Sequence, residues 1–413
     1  MTSPVVEIDT TLRRARLATA TAFATQGMVF ISLTTRLPDF ADHWDINDTE
    51  LSGLLLMMVL LAGVGSVIAE QLAKHRDSAL LLRAGLLTIA VGVPVLALAP
   101  AFGVFVAGMA CYGIGLGMVD ASTNMQAVAL EHRYARPILP SFHGAWTLGG
   151  LIGAGVTLTL AAIAAGGIDV SGDAADTSSL PLQTLAVLAL VPLFALTRPF
   201  LRRVGDPVAA GPKVAVPWRP ILLVGLGMII FYMVDTAAFT WGPTYLKDVF
   251  STPASLVALA TFPYLLASGT VRLAGDGLVA RYGAVRVLRT GAVIACGGLA
   301  VIVFSPTWPI AVLGFLIVGG GVAVVAPLSF SAAARIAGAD GDQDPVARQA
   351  RVDAVIGRFN QFNYVGSLLG AVMTGLVGAG DLRIGFAVPM VLVLALIPLA
   401  RAFAPPAKPR VNQ

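Results

Sequence analysis

Long apolar stretches separated by short polar ones dominate the chain, and they run too long and with too little alternation for barrel strands. Twelve stretches can be placed, near 17–38, 51–70, 78–99, 101–127, 138–165, 181–200, 219–243, 253–275, 288–304, 309–335, 353–377 and 382–401. A run of about 20 residues, rising about 1.5 Å per residue, crosses a hydrocarbon core about 30 Å thick. Backbone groups in lipid must pair within the segment, so each stretch is predicted to be a helix. The fold class expected is an all-α polytopic membrane protein with twelve transmembrane helices.

Composition agrees. The 413 residues are 57% hydrophobic and 12% charged, with mean hydropathy +0.83, against about 45–50% apolar and 25% charged in soluble domains. The net charge of +4 therefore speaks of topology, and no run of basic and aromatic residues suggests a nucleic-acid groove. The start, MTSPVVEIDTTLRRARLATATAF, carries acids before its arginines and no small-residue cleavage site, so the first span is expected to be retained. Cys111 and Cys296 fall inside apolar runs, without metal or disulfide spacing. No nucleophile elbow, phosphate-cradling loop or metal-binding His pair appears, which argues against an enzyme and against any cofactor or metal.

Charge fixes an orientation. With both termini cytoplasmic, 24 basic residues fall on the inner side, among them Arg83, Arg272, Arg281 and Arg289, while Arg36, Lys247 and Arg383 remain outside. Adding or removing one span would scramble that split of all 27 Lys and Arg. The short loops and the Ala, Gly and Val content fit the inner membrane of a bacterium.

Internal repeats divide the chain. LLRAG at 81–85 matches VLRTG at 287–291 at an offset of 206, which also sets Glu70 on Asp276, Arg83 on Arg289, and GIG at 113–115 on GGG at 319–321. A second match sets GGLIGA at 149–154 over GSLLGA at 366–371, with His143 over Asn360, Trp146 over Asn363 and Thr147 over Tyr364. Its offset of 217 is accounted for by the longer loop GADGDQDPVARQAR. Two six-helix halves follow, 1–200 and 219–413, joined by a polar cytoplasmic linker at 201–218.

The six-plus-six layout and GDGLVARYG at 275–283 resemble the major facilitator superfamily. More narrowly, GIGLGMVDASTNMQAVALE at 113–131 and PILPSFHGAWTLGGLIGA at 137–154 look like its fucose-permease-like bacterial branch and relatives. The first-half copy of the loop motif, GSVIAEQLAKHR, is degenerate. The resemblance implies two pseudo-symmetric halves that alternate access to a mid-membrane site, and proton coupling at Asp120. One departure stands out: where the branch carries an acid in its first span, this chain has Thr34.

Candidate residues follow from cost. A carboxylate near the bilayer centre costs about 2.5–3.5 kcal/mol on insertion scales and is rarely kept without a cavity or partner. Asp120 lies in the inner half of the fourth span, with Asn124 one turn later on the same face. Asp235 lies in the outer half of the seventh, followed by Trp241 and Tyr245, the latter read as an interfacial belt residue. His143 opens the fifth span, where it suits either a proton relay or a plain helix start. Gln26, Asn360, Asn363 and Tyr364 can hydrogen-bond a hydroxylated solute or glue helices together. Arg36 can pair with Asp39, with Asp235 or with an anion, or can snorkel. Glu70, Gly275, Asp276 and Arg281 form the loop motif, which either locks one conformational state or caps an ordinary loop.

The function expected is secondary transport of a small solute, proton-coupled symport of a sugar-like or other small polar molecule. Asp120 and His143 would handle the proton, and Gln26, Asn124, Asp235, Trp241, Asn360, Asn363 and Tyr364 would meet the solute. The partners expected are the solute, protons and the lipid bilayer, with a monomer as the working unit. Proton-coupled efflux of amphipathic compounds is the alternative within transport, and a non-transporting membrane sensor or scaffold the alternative outside it.

Overall fold

The structure is a computed structural model that describes residues 9–73, 76–134, 138–164, 185–201, 218–338, 355, 359 and 361–404. Among the described residues every regular element is helical. The first half holds α1 (Thr10–Thr34), α2 (Leu37–Trp44), α3 (Asp48–Ala73), α4 (Ser78–Ala97), α5 (Phe102–Tyr134), α6 (Leu139–Ala164) and α7 (Leu190–Leu196). The second holds α8 (Trp218–Phe250), α9 (Phe262–Tyr282), α10 (Ala284–Phe304), α11 (Trp308–Val322), α12 (Val325–Ala337), α13 (Gln361–Val377), α14 (Leu382–Leu392) and α15 (Leu396–Leu399). Among the described residues ten segments are long and apolar enough to cross a membrane. Shorter apolar helices, Leu185–Leu196 and α13, stand where the sixth and eleventh spans were predicted. The ends of those two spans, at 181–184 and 353–360, lie largely outside the described residues, as does most of the 201–218 linker.

Local chemistry sets the ends. Asp9 caps α1 by accepting from the Leu12 amide, which starts the helix earlier than the apolar pattern suggested. It ends at Thr34, where Thr35 and Arg36 turn the chain into α2, with Pro38 in its first turn. At α3, the Asn47 side chain accepts from Thr49 and Glu50 while the Glu50 carboxylate accepts the Asn47 amide, a reciprocal capping box. Gly283, at φ 79°, closes α9 in a conformation that other residues avoid.

Paired glycines show how the halves are built. A Cβ on Gly115 would lie 3.2 Å from the Gly85 carbonyl, and one on Gly321 2.8 Å from the Gly291 carbonyl. Gly113 meets Met58 as Gly319 meets Tyr264. In the other helix pair, Gly149 sits against the Ala24 carbonyl and Gly366 against that of Ile229. The first contacts keep the 206 offset on both sides, and in the last Gly149 and Gly366 keep the 217 offset while Ala24 and Ile229 lie 205 apart, so matching helices cross at matching points, with backbones close enough to exclude a side chain.

The charged caps repeat as well. Arg83 donates to the Leu196 and Arg198 carbonyls at the end of the first half's last helix. Arg289 donates to the Ile397 carbonyl at the end of the second half's last helix. Each supplies donors to carbonyls left over where a helix stops. All three basic residues placed on the outer side are engaged too. Arg36 is buried beside Asp39 instead of snorkelling. Lys247 pairs with Asp42 and bonds the Pro38 carbonyl, and Arg383 donates to the Val303 and Ser305 carbonyls.

Candidate functional site

Two carboxylates, one from each half, organise the polar interior. Asp120 projects from α5, whose glycines admit close neighbours: Gly117 meets the Ala62 carbonyl of α3. One Asp120 oxygen accepts from Gln26 of α1 at 3.3 Å, and the other accepts from the Tyr364 hydroxyl of α13 at 2.7 Å. The acid of the first half is thus held by a donor from the second. Asn124 lies on the same face, yet its amide donates to the Asp120 backbone carbonyl at 2.9 Å and not to the carboxylate. Gln26 is buried, and its Oε1 has no hydrogen-bond partner among the described residues.

Asp235 is buried in α8 and accepts from the Tyr264 hydroxyl at 2.6 Å. Phe239, one turn further on, packs its ring against Tyr264 and against Trp146 of the other half, at 5.1 and 6.1 Å between centroids. Tyr232 lies within electrostatic reach of Asp120, Asp235 and Arg272.

Arg272 changes the picture drawn from sequence. Counted above with the cytoplasmic charges, it is half-buried within the Ala254–Gly275 span. Its Nε donates to the Ala323 carbonyl at 3.2 Å and its Nη1 to Thr147 Oγ1 of the other half at 3.1 Å. Ala323 is available because Pro327, four residues on, has no amide hydrogen to give it, just where α11 and α12 part. The signal was present, an arginine inside an apolar run and a proline in the tenth span, but the inside-positive count absorbed it. Tyr232 and Tyr264 were missed for a related reason: a tyrosine in an apolar run looks like packing until a partner acid is known.

The remaining candidates separate. His143 is half-buried near Arg272, edge-on to Phe23 at 5.5 Å. Asn363 accepts from Ser367 at 3.1 Å on α13. Trp241 is fully buried, its indole N–H donating to the Ala371 carbonyl at 2.7 Å, so it packs α8 against α13 away from the two acids' polar groups. Tyr245, expected in an interfacial belt, is fully buried instead, with its hydroxyl on the Ile302 carbonyl and its ring edge-on to Phe386. Buried Gly275 faces Val324, and Arg281 is exposed with its guanidinium over Tyr282. Glu70 is half-buried at the end of α3. Asn360 and the Asp276 side chain lie outside the described residues.

Fold and site together define a polytopic carrier with a polar centre shared by two helical halves. A model of the Major Facilitator Superfamily matches residues 224–413. An uncharacterized transporter of Sinorhizobium fredii, y4wD, is 28% identical over 76% of this chain and 81% of its own. An uncharacterized MFS-type transporter of Yersinia pestis is 24% identical over 94% and 95% of the two. Among solved structures, the nucleoside transporter NupG superposes with a TM-score of 0.67 at 14% identity, covering 95% of this chain and 98% of that one. The Escherichia coli fucose:proton symporter FucP does so at 0.60 and 15% identity, covering 94% and 98%. The family model over the second half of the chain and the transporters among its relatives support a major facilitator superfamily transporter rather than an enzyme, and the solved structures share its fold.

Proposed function

We propose that the chain is a proton-coupled symporter of a small polar solute, working by alternating access as a monomer in a bacterial inner membrane with both termini cytoplasmic. In this reading the halves are 1–200 and 219–413, joined by the linker at 201–218, with Asp120 as the proton carrier. The observation that supports it is the double hydrogen bond on Asp120, from Gln26 in its own half and Tyr364 in the other. Protonating the Tyr364-facing oxygen replaces an acceptor with an O–H, so proton uptake bears directly on a contact between the halves. Coupling requires that kind of connection, since a ligand shifts a conformational equilibrium only by binding its states differently. Asp235, Gln26 and Asn363, with Asn360 and Tyr364, would hold the solute. His143 stands within electrostatic reach of Arg272, which bonds Thr147 one turn along the same helix from it.

Asp120→Asn in proteoliposomes tests the proposal. At one proton per solute, an inward gradient of one pH unit sustains about tenfold accumulation in the native chain. The variant should keep solute exchange and lose that accumulation. Unchanged accumulation would refute the role of Asp120.

A further inference from the structure

We infer that Arg272 receives the anionic group of the solute, so that the class carried is a hydroxylated organic monoanion of the sugar-acid kind. The inference deepens the symport reading and rests on it for the coupling, though not for the anion site.

An arginine within a membrane-spanning helix is costly and is kept where it meets a charge or lines a cavity. Both hydrogen-bond acceptors of Arg272, the Ala323 carbonyl and Thr147 Oγ1, are neutral. Among the described residues no carboxylate lies within ion-pair distance of it. Asp235 is within electrostatic reach but holds the Tyr264 hydroxyl. Among the described residues two of its five guanidinium N–H groups have acceptors and its Cζ stands 6.0 Å from the Phe231 ring centroid, which leaves three N–H groups in a planar fork suited to a carboxylate. The Arg272–Thr147 bond also spans the two halves, so an anion seated there touches both and senses their relative position.

The neighbours suit the rest of such a solute. The Oε1 of buried Gln26, without a partner among the described residues, can accept from a hydroxyl, and Tyr232 lies within electrostatic reach of both acids and Arg272. Charge then explains the order of binding. With Asp120 and Asp235 ionised against one guanidinium, the site carries a net negative charge and repels an anion. A proton on Asp120 brings it to neutral and admits the monoanion. One proton and one monoanion cross together, so no net charge moves, and transport should follow the pH gradient and ignore the membrane potential. A neutral sugar carried with a proton would move charge.

Uptake into proteoliposomes of three matched pairs, D-glucuronate and D-glucose, D-galacturonate and D-galactose, D-gluconate and D-sorbitol, provides the test. The pH gradient and a valinomycin-set potassium potential are imposed separately, for the native chain, Arg272→Gln and Arg272→Lys. Acids should enter and their neutral partners should not, with entry driven by the pH gradient and unchanged by the potential. Arg272→Gln should raise the half-saturating acid concentration about thirtyfold or more, the range seen when one partner of a charge pair is removed. Arg272→Lys, which keeps the charge, should recover part of it and so shows that the site is still folded. Entry of a neutral partner, raised by an inside-negative potential and kept in Arg272→Gln, would overturn the anion assignment and leave proton symport standing. Acid entry lost in Arg272→Gln but indifferent to the pH gradient would keep the anion site and remove the coupling. Silence across all three pairs would overturn the inference.

Discussion

The two halves agree in how their helices cross and disagree in what they place at the centre. Gly113 against Met58 repeats as Gly319 against Tyr264, and Gly149 against Ala24 as Gly366 against Ile229. At the 206 offset Asp120 corresponds to Ala326 and Arg272 to Ser66, and at the 205 that relates Ala24 to Ile229 Asp235 corresponds to Phe30. The most telling case is a single crossing: the methionine of one half is, in the other, the tyrosine whose hydroxyl bonds Asp235. Backbone contacts that tolerate only glycine preserve the symmetry, whereas the side chains projecting inward have been free to diverge. The lesson is that symmetry marks the scaffold, and departures from it mark the chemistry.

The comparison can be broken at the glycines first. A Cβ on Gly149 would fall 1.9 Å from the Ala24 carbonyl, and one on Gly366 2.5 Å from that of Ile229. Gly149→Ala and Gly366→Ala should each destabilise the protein by about 3 kcal/mol, the upper part of the overpacking range, with Gly149 the worse. Thermal unfolding in detergent checks the order; a silent Gly366→Ala would mean that the crossings are not equivalent.

The caps come next. Arg83→Ala forfeits two bonds to helix-end carbonyls and Arg289→Ala one, at about 1.5 kcal/mol or more per charge-assisted bond. Both should lower the melting temperature, Arg83→Ala further, and an effect in one half alone would break the repeat at this point.

Much of this was legible in the sequence. Span positions follow from apolar length, and the repeats were visible because glycine crossings survive as short matching strings. Asp120, Asp235 and Gln26 could be singled out by cost alone. Arg272 carried a signal that the charge count hid, because a charge near the end of a span satisfies the inside-positive pattern whether it points to water or into the centre. Trp241 and Tyr245 show the reverse error: aromatic residues near a span end fit a solute site or an interfacial belt, and only their hydrogen bonds to Ala371 and Ile302 reveal packing.

Smaller effects sharpen the contrast between scaffold and site. Tyr264→Phe removes the Asp235 hydrogen bond but keeps the ring against Phe239, so the fold should hold while half-saturation for solute rises about fivefold, as for a hydrogen bond near 1 kcal/mol. Met58→Leu, at the equivalent crossing, should leave transport unaltered, which uptake kinetics on both variants will decide. Smallest is Lys247→Ala. Asp42 is 68% exposed, and an exposed pair contributes about 0.2–1 kcal/mol, so stability should barely change. Because the pair joins the halves at one end, cysteine labelling of positions beside it should nonetheless increase.

Proton movement itself is the most direct test of an asymmetric, proton-coupled centre. Vesicles loaded with a pH-sensitive dye and given an inward solute gradient, with no pH gradient imposed, should acidify as solute enters through the native chain. They should not do so with Asp120→Asn, although that variant still exchanges labelled solute. Acidification that persists in Asp120→Asn would contradict Asp120 as the proton carrier, and its absence from the native chain during solute entry would contradict symport altogether.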